Sequence, residues 1–493
     1  MKPLSIVSVA AEIAPFSKTG GLADVTRSLP KSLKRLGHSV IVVTPLYRKV
    51  IDAAALHLEK ITDEMPLMIG KHSDVTVSFY KGELMKDLPI YFVSCDRYFG
   101  HKKTLYGSDH ENRRFYVFDA AVLKLIVLLG ITPDIVHCHD WHSGLIPELM
   151  KRDYKEYTPL ANAATVFTIH NLTFQLGHDW WAVPGPKRDH GTAPLPDLYD
   201  DRHMERINFT KRAILNTDVI NTVSETYAEE ILRHNFGQDL HRILKNRKEK
   251  LFGVVNGIDY EDFNPEKDTA LAVKYTYKKI LRKNLNKEAL QKRYKLDQDE
   301  RAFVIVMASR ITEQKGFDIL LPTIEPLMQR NIQFIFMGDG DKTYIKEINK
   351  LIRKYPKRIA LVSFDENKTD ETMLYAGGDA ALFPSRFEPC GTGQLKSMRY
   401  GCVPIAREIG GLTDTVEDFA HDTGSGNGFV FKEYNQQSLL MAITGAYSHF
   451  QHHRTWRSLM VRGMKQSNSW ELPARKYLAL YKKALQYKKN EKN

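Results

Sequence analysis

Short apolar runs recur along the chain, and most end in glycine or a charged residue. The first, residues 4–11, is continuous and predicts a buried parallel strand. Leu22, Val25, Leu29, Leu33 and Leu36 follow at helical spacing and are closed by Gly37, so a helix is expected there. Pro30 should kink it. Residues 39–43 predict a second buried strand, and 74–80 and 89–93 two more, alternating and then continuous. Residues 114–129 form a strongly apolar helical pattern ended by Gly130. Ile135 and Val136 lead into His137-Cys138-His139-Asp140-Trp141-His142, and a strand over 165–169 ends on His170-Asn171. Residues 180–201 read as a Pro/Gly-rich loop, followed by helical patterns over 206–215 and 225–233. Asn256-Gly257 is a turn that closes this half.

The alternation then restarts. Strands are expected over 303–308, 333–337, 359–362, 380–383 and 403–406, with helices over 317–328 and 394–400. Ala474, Tyr477, Leu478, Tyr481 and Leu485 make one face of a final helix, expected to dock back on the first domain. Strands alternating with helices predict an α/β fold with doubly wound parallel sheets. At 493 residues the chain exceeds one core, so two such domains are expected, over 1–253 and 254–470, with 471–493 as the returning helix. Ligands of such sheets bind beyond the C-terminal strand ends, where Lys18, Asp140 and His170 all fall.

Composition narrows the function classes. A hydrophobic content of 43% and a charged content of 26% are those of a globular protein. The net charge of +12 suits either surface solubility or an anionic ligand such as a nucleotide. No tract of interleaved basic and aromatic residues argues for nucleic acid. Cys95, Cys138, Cys390 and Cys402 are too few for a disulfide framework, which suggests a reducing, cytoplasmic compartment. No apolar run is long enough to span a bilayer, and neither a signal peptide nor an Arg/Ser-rich transit segment precedes the first strand.

Three turns carry candidate chemistry. Lys18-Thr19-Gly20-Gly21 places a cation and two glycines where a strand passes into a helix. Glycine admits close backbone approach, and a helix start leaves N–H groups unpaired, so the turn can hold an anion. An ordinary tight turn with a solvated lysine is the alternative. Residues 386–394, Arg-Phe-Glu-Pro-Cys-Gly-Thr-Gly-Gln, again lie between a strand and a helix. Residues 309–316 supply Arg310 and Lys315, a planar fork and a point charge suited to a diphosphate, or else a surface ion pair. Together these turns are expected to converge on one cleft. His137, His139 and His142 could suggest zinc, but Cys138 points to the opposite strand face and no paired C-x-x-C supports a metal. A dehydrogenase is disfavoured because neither half carries G-x-G-x-x-G.

Residues 18–25, 137–142, 167–171, Asn256-Gly257-Ile258-Asp259, 309–316, and 384–394 followed by Arg399-Tyr400-Gly401 match one pattern in order. The chain resembles the family of bacterial glycogen synthases and plant starch synthases over nearly its whole length. The resemblance implies a GT-B fold, two Rossmann-like domains facing a cleft. It implies retaining transfer of glucose from ADP-glucose to the non-reducing 4-hydroxyl of an α-1,4-glucan, glycogen or starch, with no metal or cofactor. It further implies that Lys18 and the Gly20 and Gly21 amides meet the donor's phosphates or glucose. Arg310 and Lys315 would hold the diphosphate, Glu388 the glucose hydroxyls, and the amides of Cys390, Gly391 and Thr392 the phosphates. His170 would lie beside the glucose, and Asp140 and Tyr106 would face sugar or acceptor. Binding of the donor would draw the two domains together. Trp180 or Trp181 could offer the acceptor a stacking face, with burial in the core as the alternative.

One departure stands out: where the family commonly has Glu-Pro-Cys-Gly-Leu-Thr-Gln, this chain has Thr392 and Gly393. Other readings of the same pattern are a UDP-glucose-using or different GT-B transferase, a phosphorylase or a sugar epimerase. A glucan-binding relative without activity is a further one, disfavoured by intact Lys18, Arg310, Lys315 and Glu388.

Overall fold

The computed structural model describes residues 2–107, 109–175, 183–364 and 369–491. Trp180 and Trp181 lie outside the described residues, as does the first part of the 180–201 loop. The chain divides into one unit of residues 1–256 with 470–493, and another of residues 257–469.

The strands of the first unit are β1 (Ser5–Ala10), β2 (Ser39–Pro45), β3 (Glu59–Lys60), β4 (Met65–Ile69), β5 (His72–Met85), β6 (Leu88–Ser94), β7 (Ile135–His139), β8 (Ala164–Ile169), β9 (Val219–Thr222) and β10 (Leu251–Gly253). Their order is β10-β9-β8-β7-β1-β2-β6-β5-β3, with β4 paired to β5. From β10 to β6 every pairing is parallel, Val7 lying between Val136 and Ile41. These central strands are apolar on both faces because helices cover both.

One expectation needs correction here. The sheet is not parallel throughout: β5 pairs antiparallel with both β6 and β3. Only Lys86 and Asp87 join β5 to β6, too few residues for a crossover, so a hairpin is the one connection available. The helix that carries Pro30 runs unbroken over Gly21–Arg35. One missing N–H removes a single ladder bond, and the buried faces of Val25, Leu29 and Leu33 hold the rest in place.

The final helix, Glu471–Asn490, packs Ala474, Tyr477, Leu478, Tyr481 and Ala484 into the same cluster as Ile6, Ala164, Val166 and Val219. The end of the chain thus completes the core of the unit that begins it.

The second unit contains β11 (Phe303–Ala308), β12 (Ile332–Met337), β13 (Ile359–Val362), β14 (Ala380–Phe383), β15 (Val403–Arg407) and β16 (Phe429–Phe431). The order is β13-β12-β11-β14-β15-β16, all parallel. Sequence patterning did not reveal β16 or the helices Lys342–Lys354, Gln436–Phe450 and His453–Lys465.

Both sheets reverse direction of winding once. In the first unit β1 has β2 on one side and β7 on the other; in the second, β11 has β12 on one side and β14 on the other. The crevice at the C-terminal ends of such strand pairs is where open α/β sheets bind ligands. The turns after β1 and β7, and after β11 and β14, are those that carry the candidate residues.

Candidate active site

In the first unit, the turn after β1 is built around a buried carboxylate. Glu12, 2% exposed, accepts from the Thr19 amide at 2.6 Å and from the Thr19 hydroxyl at 2.7 Å. Burial raises its pKa, and the two bonds from Thr19 pull it partly back. Glu12 therefore clamps the residue between Lys18 and Gly20. Lys18 reaches both oxygens of Asp24, at 2.7 and 2.6 Å. Gly20 caps the helix Gly21–Arg35, and among the described residues nothing beyond the adjoining backbone lies within 4 Å of where a side chain at Gly20 or Gly21 would begin. The helix start is thus open to an incoming group beside a lysine.

Asp140 closes β7 with φ +59, a left-handed backbone that a non-glycine residue seldom adopts. Its Oδ1 accepts from the His170 amide at 2.8 Å and from Gln175 Nε2 at 2.7 Å, which fastens the ends of β7 and β8 together. Burial pushes Asp140 up to about 7, with those two bonds and the nearby Glu12 as smaller influences. Gln175 also accepts from the Trp141 amide at 2.9 Å. His170 Nε2 meets His139 Nδ1 at 3.0 Å, and burial lowers the His170 pKa to about 3.

Tyr106 packs against His142 with ring centroids 4.7 Å apart and planes inclined at 30°. Tyr106 Oη and His142 Nδ1 are buried and find no hydrogen-bond partner among the described residues. Burial raises the phenol and lowers the imidazole, so both are neutral hydrogen-bonding groups. His137 uses both ring nitrogens, at 2.9 Å to Tyr481 Oη and 2.7 Å to Thr168 Oγ1, which leaves neither for a metal.

In the second unit, Lys315 Nζ lies 2.5 Å from Glu388 Oε2, and Ser385 donates to the same oxygen at 3.1 Å. Their residues are 73 apart in sequence, and a glycine lets the two turns meet. Gly316 has φ +85, and a Cβ there would lie 2.2 Å from the Pro384 carbonyl oxygen. Arg310 extends from the same turn and donates to Gln314 at 3.2 Å. Gly391, at φ +70, precedes Thr392, the cap of the helix Gly393–Arg399. A side chain at Gly393 would meet Phe383 at 2.9 Å and the Tyr375 hydroxyl at 3.1 Å, so these two rings occupy the space that the departure from the common motif vacates. Cys390 is buried, as are the other three cysteines, and none of the four is in a disulfide.

Each unit therefore gathers its own share of the expected residues. Lys18, Gly20, Gly21, Asp140, His170 and Tyr106 belong to the first, and Arg310, Lys315, Glu388, Cys390, Gly391 and Thr392 to the second. Sequence reasoning missed Glu12, Gln175 and Ser385. Glu12 left a faint signal, an acid directly after an apolar strand; Gln175 and Ser385 left none.

Residues 5–246 match the family described as starch synthase catalytic domain, and residues 287–457 the one described as glycosyl transferases group 1. A glycogen synthase of Thermosipho melanesiensis is 38% identical over 98% of this chain and 99% of its own length. A glycogen synthase of Anoxybacillus flavithermus is 37% identical over 97% of each chain. The solved catalytic domain of starch synthase IV from Arabidopsis thaliana, bound to ADP and acarbose, superposes with a TM-score of 0.85. It shares 29% identity and covers 98% of this chain and 100% of its own.

Proposed function

The chain belongs to the glycogen and starch synthase family, glucosyltransferases of GT-B fold, and from that premise we propose that it extends an α-1,4-glucan using ADP-glucose. Glucose passes to the non-reducing 4-hydroxyl with retention of configuration. The observation that carries this reading is the meeting of Lys315, Glu388 and Ser385 at the switch of the second sheet. A cation and a carboxylate side by side suit a ligand with a diphosphate at one end and sugar hydroxyls at the other.

In this reading Arg310 and Lys315 hold the diphosphate, and the Cys390, Gly391 and Thr392 amides bind phosphate oxygens. Charge builds on the diphosphate as the glycosidic bond lengthens, so these groups gain most in the transition state. Glu388 takes glucose hydroxyls. In the first unit, Lys18 and the open amides of Gly20 and Gly21 form an anion-binding turn suited to phosphate or sugar oxygens. His170, neutral at working pH, donates or accepts one hydrogen bond to the sugar and adds no charge. Asp140 and Tyr106 serve the acceptor side. The acceptor hydroxyl attacks from the face that the diphosphate leaves and passes its proton to a departing phosphate oxygen, so no covalent glucosyl-enzyme is required. Cations and amides do the work a metal would otherwise do. The substrates and the unbridged cysteines suit a cytoplasmic setting, with no nucleic acid or membrane as partner.

The test is release of ADP from ADP-glucose with and without a maltooligosaccharide, with UDP-glucose in parallel and excess chelator in one arm. Acceptor-dependent ADP release, product sensitivity to β-amylase, a slower UDP-glucose reaction and indifference to chelator are expected. Turnover restored only by added divalent metal would overturn the metal-free mechanism. Preference for UDP-glucose would favour the neighbouring transferase reading.

A further inference from the structure

Three histidines and the last helix form a buried hydrogen-bonded cluster that the proposed chemistry leaves unexplained. His137 and His139 alternate along β7 and face the same side of the sheet, both wholly buried. Their rings lie 4.0 Å apart, centroid to centroid, inclined at 36°. His137 is held at both nitrogens, by Tyr481 of the final helix and by Thr168 of β8. Thr168 in turn accepts from Asn221 Nδ2 at 3.2 Å, and the same amide donates to Tyr477 Oη at 3.0 Å. His139 stands on that fixed ring. Its Nδ1 meets His170 Nε2 at 3.0 Å, and its Nε2 lies 3.4 Å from Ser8 Oγ on β1. Of the three imidazoles only His170 is partly open to solvent.

We propose that His139 is a positioning residue for glucosyl transfer, holding the His170 ring so that Nδ1 is the atom it offers to substrate, with Tyr481 of the final helix holding His139 in turn through His137. The inference rests on the proposed contact between His170 and the donor glucose.

The physical argument has two parts. A neutral imidazole has one N–H and one lone pair, and which nitrogen carries the proton is set by its partner. His170 Nε2 is occupied by His139, so only Nδ1 remains, and holding the shared proton in one sense, whichever it is, holds His170 in one tautomer. A proton added to His170 would place a charge against the buried His139 ring, and the acid bonded to the His170 amide, Asp140, is itself pushed up to about 7 by burial. The cluster thus keeps His170 uncharged and in one orientation, which is what a group meeting a sugar hydroxyl beside a diphosphate requires. Precision matters because a small misplacement of a contact group costs rate far more than it costs binding.

The experiment is a double-mutant cycle on the full chain. His139→Leu and His170→Ala are each expected to lower kcat about ten- to a hundredfold, the range of coupling between contacting residues, with acceptor KM little changed. His139→Leu in the His170→Ala background should have no further effect. His139→Gln, whose amide can replace the partner of Nε2, should recover part of the rate. Tyr481→Phe should lower kcat by less than His139→Leu. Additive losses, or a rate loss that tracks a fall in melting temperature across the variants, would overturn the proposal. A second readout does not depend on turnover: long-range proton–nitrogen spectra of labelled histidines should give His170 a single neutral tautomer in the parent chain and mixed tautomers in His139→Leu. A single tautomer in both would also overturn it. If the parent chain makes no glucan, the proposed function fails while the tautomer result stands on its own.

Discussion

The Lys18 turn and the Lys315 turn solve one problem in two ways. Each sets a lysine at a strand end, and each pairs it with a carboxylate. Asp24 sits six residues from Lys18 in the first turn of the adjoining helix, and both side chains are about 30% exposed. Glu388 comes from a separate turn, and its pair with Lys315 is more enclosed, at 11% and 19%. The first pair is local and wet; the second depends on two β-strands being neighbours. A charge contact strengthens as water is removed, so the enclosed pair should dominate catalysis and the open pair should act mainly in capture.

That contrast can be broken. Lys315→Ala should lower kcat by ~10²–10³, the scale of one lost transition-state donor, while Lys18→Ala should cost about tenfold, the scale of one charged hydrogen bond. Equal losses in kcat at the two sites would dissolve the distinction. Glu388→Ala comes next. It removes the proposed sugar contact and also releases Lys315. ADP-glucose affinity should fall about tenfold, with ADP affinity unchanged or tighter, as measured by calorimetry. A parallel fall in both would place Glu388 on the nucleotide.

A smaller effect separates buried from open acids by pH. Asp140 is held at about 7, against an ordinary value of 3.8. Between those two values the folded chain binds the extra proton, so this group destabilises progressively as pH rises through that window and fully above it. Asp140→Asn should therefore gain in melting temperature relative to the parent between pH 5 and pH 8. A constant difference over that range would contradict the burial argument. Asp24→Asn should have the least effect on stability, since an exposed pair contributes about 0–1 kcal/mol and less in high salt. Thermal melts in low and high salt test this. A large loss that salt does not reduce would show that the Lys18 pair is not the open one.

Much of this site was legible before the fold. The strand-to-helix position of residues 18–21 followed from an apolar run meeting helical spacing, and the Arg310, Lys315 and Glu388 turns each followed a recognisable strand. The less legible parts were those with weak local signals. The strand Phe429–Phe431 has three residues, and the β5–β6 hairpin reads from periodicity alone like any two neighbouring strands.

Period and composition by themselves determined that the chain alternates strands with helices twice over, because buried parallel strands must be apolar and their crossovers amphipathic. They also determined which side chains lie at strand ends, since that needs only the boundary of each run. Tertiary structure alone decided which strand ends are neighbours. The order β7-β1-β2 and the order β12-β11-β14 place the reversals, and no periodicity encodes the pairing of strands far apart in sequence. It decided that Lys315 meets Glu388 and that Glu12 grips Thr19. It also decided that Tyr481, 344 residues after His137, completes the cluster behind His170. Such contacts arise from packing, where a side chain's partner is set by the path of the whole chain and not by its own neighbours in sequence.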